Sequence, residues 1–83
     1  MTVFEAIQRI PEGYIEGMYE KRKYGITKQS FNKGKSCKVF GKALGSSDFI
    51  SLNYYHTRSG GLLKPCEMEE SKVVAFLKNV MIT

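Results

Sequence analysis

Apolar positions along the chain change their spacing twice. Val3, Ile7 and Ile10, with Phe4 and Ala6 beside them, recur at near-helical intervals. Thr2 followed three residues later by Glu5 predicts a capping box, in which each side chain satisfies the other's backbone N–H. Pro11-Glu12-Gly13 then predicts a stop, so the first element is a short amphipathic helix. From Tyr14 to Pro65 the pattern shortens to runs rich in Tyr, Phe, Ile and Val, divided by clusters of Gly, Asn, Ser and Lys that supply turn chemistry. Five strands are expected: Tyr14–Tyr19, Tyr24–Phe31, Ser36–Ala43, Phe49–His56 and Leu62–Lys64. Connections this short require antiparallel neighbours, because a parallel pair needs a crossover of a dozen or more residues. After Pro65 the helical interval returns. Glu67, Glu69 and Glu70 precede Val73, Val74, Leu77, Val80 and Met81, with Lys78 near the end, as the helix dipole favours. The pattern predicts one α+β domain over residues 1–83: an antiparallel meander of about five strands with an N-terminal and a C-terminal helix packed on one face.

The hairpin between the third and fourth strands allows a register to be derived. With Leu44–Ser47 as the loop, Ala43 faces Asp48 and the pairs run Lys42 with Phe49, Phe40 with Ser51, Val39 with Leu52, Lys38 with Asn53 and Cys37 with Tyr54. Side chains alternate across a strand. One face then carries Cys37, Val39, Ile50, Leu52 and Tyr54 and suits burial; the other carries Lys38, Phe40, Lys42, Phe49, Ser51, Asn53 and Tyr55. A face mixing bases with aromatics suits stacked nucleic-acid bases and their phosphates. The same mixture arises when an aromatic ring packs on a lysine stem, or when the face meets a second copy in a homodimer.

Charge sharpens that expectation. The 83 residues carry a net charge of +5, yet Lys21 to Lys42 holds eight bases and no acid, leaving −3 for the remainder. Such asymmetry favours a polyanionic partner, whether nucleic acid, a phosphorylated ligand or an acidic protein. Lys33 and Lys35 join the candidate binding residues, although they and Lys21–Lys23 fall in or beside expected turns. Gly34-Lys35-Ser36 matches the end of a phosphate-binding loop, but Gln29 stands where such a loop needs glycine and a strand follows.

Other chemistry finds less footing. Two cysteines are too few for a disulfide framework, and a lone His56 without paired ligands predicts no metal site; no cofactor is expected. Cys37 falls on the core face, whereas Cys66 stands at the expected start of the last helix, where a thiol gains nucleophilicity, opposed by Glu67, Glu69 and Glu70. No apolar run is long enough to span a bilayer, and Glu5 and Arg9 interrupt any leader, so no membrane partner is expected.

The run from Gly45 to Tyr55, the stretch Leu63-Lys-Pro-Cys-Glu-Met68 and the closing Lys72-Val-Val-Ala-Phe-Leu77 together resemble a family of small uncharacterised bacterial proteins, across most of the chain. Some members of that family are labelled peptide methionine sulfoxide reductase. The resemblance implies a bacterial, cytoplasmic protein, and the label adds a thiol-dependent reductase, with Cys66 and Cys37 as its candidate nucleophiles, as an alternative to the binding module. The Gly-Cys-Phe-Trp motif of reductases so named is absent: the thiols read Ser36-Cys37-Lys38 and Pro65-Cys66-Glu67, and the chain has no tryptophan.

Overall fold

The computed structural model describes residues 1–83. Helix α1 (Val3–Gln8) begins on the capping box expected of it: the Glu5 N–H donates to Thr2 Oγ1 at 3.0 Å and the Thr2 N–H to Glu5 Oε1 at 2.8 Å. Those bonds hold the Glu5 carboxyl below its ordinary range. Then come β1 (Gly13–Tyr19), β2 (Arg22–Phe31), a 3-10 turn (Asn32–Gly34), β3 (Ser36–Ala43), β4 (Phe49–Thr57), β5 (Gly60–Pro65), α2 (Glu70–Asn79) and β6 (Met81–Ile82). The strands form a single antiparallel sheet in the order β5-β4-β3-β2-β1-β6. The five expected strands form the meander, and α2 carries the chain back across the sheet so that β6 joins the opposite edge.

The end of α2 corrects the sequence reading. Val80 and Met81 continue the helical spacing, but Val80 is extended (φ −64°, ψ 134°) and Met81 pairs with Met18 in β1. Val80 stays buried, so it meets the core requirement from a strand-like backbone. The helix also starts later than the acids suggested. Glu69 is its N-cap, and Glu67 lies outside it with φ 58°.

Both helices cover one face of the sheet, and the core between them contains Ile26, Val39, Ile50 and Leu52 from the strands with Ile10, Val73, Phe76 and Leu77 from the helical side. Phe76 stands edge-on to Tyr19 and Tyr24, with centroids 5.0 and 5.1 Å away. Its ring reaches the sheet because Gly41 has no side chain: a Cβ there would lie 3.2 Å from Phe76 Cζ. Tyr24 donates to Asp48 Oδ2 at 2.9 Å, and Lys72 of α2 meets Asp48 Oδ1 at 3.1 Å, so one carboxylate ties sheet to helix.

Helix C-termini leave carbonyls without partners. Each helix here is completed by a cation from elsewhere: Arg9 donates to the carbonyls of Leu77 and Val80 at 2.8 and 2.7 Å, and Lys28 Nζ to those of Ile7 and Ile10, both at 3.0 Å. Lys28, counted above within the basic stretch, is therefore committed to the interior side of the sheet.

Candidate nucleic-acid interface

With both helices on one side, the opposite side of the sheet is uncovered. The β3–β4 register is the one derived from the loop, with Lys42 opposite Phe49, Phe40 opposite Ser51, Lys38 opposite Asn53 and Cys37 opposite Tyr54. Lys38, Phe40 and Lys42 accordingly project outward from β3, and Phe49, Asn53 and Tyr55 from β4. Phe40 and Phe49 stack with centroids 6.1 Å apart and planes inclined by 26°. Ser51 sits between these rows and is buried despite facing outward. Lys33 and Lys35 do not share this face; they occupy the 3-10 turn and its C-cap at the end of β2, with Lys33 in a left-handed conformation (φ 57°).

The ladders add residues that the sequence reading did not assign to this face. Thr27 lies opposite Phe40, Gln29 opposite Lys38, Phe31 opposite Ser36, Tyr14 opposite Thr27 and Lys64 opposite Asn53. The signal for β2 was present: the turn Asn32–Lys35 yields Phe31 opposite Ser36 by the same loop arithmetic. For β1 it was weaker, because the chain turns at Glu20 and Lys21, both at positive φ (50° and 66°), without the glycine or asparagine that marks such turns. Tyr14 reaches over Gly25, where a Cβ would lie 2.5 Å from its hydroxyl oxygen. Tyr14, Phe31, Phe40, Phe49 and Tyr55 are each between 39 and 61 % exposed.

Electrostatically this face is one-sided. Lys23, Lys38, Lys42 and Lys64 stand on its strands against a single carboxylate, Glu16, which lies 3.6 Å from Lys23. The acid-free stretch of sequence is thus divided among three places: Lys38, Lys42 and Lys23 on the face, Lys28 beneath it, and the turn residues at either end. Two shallow depressions flank Phe40. One, of about 330 Å³, is lined by Phe40, Lys42, Ser47 and Phe49; the other, of about 310 Å³, by Thr27, Gln29, Lys38 and Phe40. A larger concavity of about 510 Å³ lies between the start of α1 and the β4–β5 hairpin, where Phe4 stacks on His56 at 4.4 Å, but Glu70 lines it and no lysine or arginine does. Its charge suits a polyanion poorly.

The thiols are placed apart. Cys37 points into the core, and burial pushes its thiol up, away from the thiolate a nucleophile needs. Cys66 lies past the end of β5, not at the helix start expected of it: three residues separate it from Glu70, its N–H donates to the Ser51 carbonyl at 2.9 Å, and its sulfur accepts from Asn53 Nδ2 at 3.6 Å. The sheet therefore stands between the two sulfurs. Asp48 and His56 are also separate, the first bound to Tyr24 and Lys72, the second stacked on Phe4.

No helix is long and apolar enough to cross a membrane. No family model, curated protein or solved structure matches the chain.

Proposed function

We propose that this protein binds nucleic acid through the uncovered face of its sheet. The observation that carries the reading is the alternation of exposed rings and lysines on β3 and β4, with Lys38, Phe40 and Lys42 in file and Phe49 stacked on Phe40. Rings supply stacking surface to any base, and lysines meet phosphates while releasing their counterions. Lys23 and Lys64 add positive charge to the face, offset by Glu16 alone.

Titration of the full chain with labelled oligonucleotides at two salt concentrations tests the reading. Binding is expected at low salt and weakens as salt rises. Exchanging Lys38 and Lys42 for glutamine is expected to reduce the salt slope by about 1.4, at roughly 0.7 per phosphate contact on a single strand. An oligonucleotide that shows no association at low salt refutes the proposal. So does a solution mass of two chains in which the rings of this face are buried against each other.

A further inference from the structure

We infer that the face takes an unpaired strand two nucleotides at a time and reads the identity of only one of the two bases. The inference rests on the nucleic-acid reading above and adds to it the strandedness, the footprint and the source of any sequence preference.

Lys38 and Lys42 are four residues apart on β3, so at ~3.4 Å per residue their backbones lie about 14 Å apart, with Phe40 midway. The two depressions lie on either side of Phe40, each with one of these lysines in its wall. Each is therefore a subsite with a ring for one base and an ammonium for a phosphate. A duplex has its bases stacked on one another and paired, so it cannot offer their flat surfaces to Phe40; an unpaired strand can.

The two subsites differ in what surrounds the ring. Beside Lys42 the wall is the Phe40–Phe49 pair with one hydroxyl, Ser47, a surface that stacks on a base without distinguishing it. Beside Lys38 the wall includes Gln29 and Thr27, which stand across the ladder from Lys38 and Phe40. Neither side chain is engaged in a hydrogen bond within the protein, and a glutamine amide offers a donor and an acceptor side by side, the pattern that matches the edge of a base. Discrimination belongs to this subsite.

An NMR titration of the full chain with all sixteen dinucleotides, with mononucleotides and with a short hairpin duplex tests the inference. Dinucleotides are expected to bind at least about five times more tightly than mononucleotides, at an effect of at least one stacked base. Affinity should change with the base at one position and stay within about twofold at the other. Gln29→Ala, on the solvent side of the sheet, should lower the affinity of the preferred dinucleotides to that of the others and so lose the preference, and Phe40→Ala should weaken every dinucleotide by about 5- to 150-fold. Mononucleotides binding as well as dinucleotides, a duplex binding as well as either, equal selectivity at both positions or at neither, or a preference that survives Gln29→Ala would each overturn it. Those results leave the broader reading intact so long as oligonucleotides still bind at low salt, whereas loss of all such binding removes both.

Discussion

The two faces of strands β2, β3 and β4 are built from alternate residues of the same segments, yet they use the same kinds of side chain in opposite ways. Aromatic rings on the covered face, Tyr24 and Tyr54 with Phe76 from α2, are buried and locked edge to edge or against the helices. Rings on the uncovered face, Phe40 and Phe49 above all, touch each other and solvent. The cations divide likewise. Arg9 and Lys28 are committed to the carbonyls that end the two helices, and Lys38 and Lys42 have no carboxylate partner. A lysine or a phenylalanine in this sequence thus says little alone; the side of the sheet it falls on decides whether it stabilises the fold or is free for a ligand.

That contrast is broken most severely from the covered side. Phe76→Ala removes the ring seated over Gly41 and is expected to cost about 3–5 kcal/mol of stability in urea unfolding, whereas Phe40→Ala should change stability by no more than about 0.5 kcal/mol. Equal losses at the two positions would abolish the distinction between core rings and free rings. The cations provide the next test. Lys28→Ala leaves the carbonyls of Ile7 and Ile10 without their donor and is expected to cost about 2 kcal/mol, as is Arg9→Ala; Lys38→Ala should leave the melting curve nearly unchanged.

A pH titration separates the faces without altering an inner ring's shape. Burial, together with the hydrogen bond to Asp48, pushes the Tyr24 hydroxyl up to about 12. A folded value above that of the unfolded chain means that the stabilisation is complete below about pH 10, the ordinary tyrosine value, and is lost as pH rises through about 12, for a loss of roughly 3 kcal/mol. Tyr24→Phe should flatten that alkaline decline. Asp48 works in the opposite sense: bonds from Lys72 and Tyr24 hold its carboxyl down, so its contribution is present above the ordinary aspartate range and fades as pH falls through its lower folded value.

The smallest expected effect is a gain. Glu20 and Lys21 form the β1–β2 turn at positive φ, a conformation that side chains resist. The double change Glu20→Asn, Lys21→Gly leaves net charge unaltered and is expected to stabilise the chain by about 1 kcal/mol with no effect on oligonucleotide binding. A change in binding instead would extend the functional surface to that turn.

Much of this arrangement was legible along the chain. The capping box at Thr2 and Glu5 is complete within four residues, and the β3–β4 register follows from the loop Leu44–Ser47 because side-chain alternation has a period of two. These features depend on near neighbours, so local chemistry suffices. By contrast, the spacing of Val80 and Met81 fits a helix as well as it fits the extended segment they form, and pairing with β1 decided between them. Cys66 was misplaced for a related reason: the acids before α2 mark the dipole's positive end without saying how many residues precede the first turn.

The sequence by itself determined which residues of β3 and β4 share a face, because turn length sets register and register sets side. It also determined that the protein's positive charge is uneven. Tertiary structure decided where that charge goes: it spent Lys28 on the end of α1, sent Lys33 and Lys35 to a turn, and left Lys38 and Lys42 beside exposed rings. The physical reason is that helix ends and sheet faces acquire their partners only when distant segments meet, and no local pattern records which face the helices will cover.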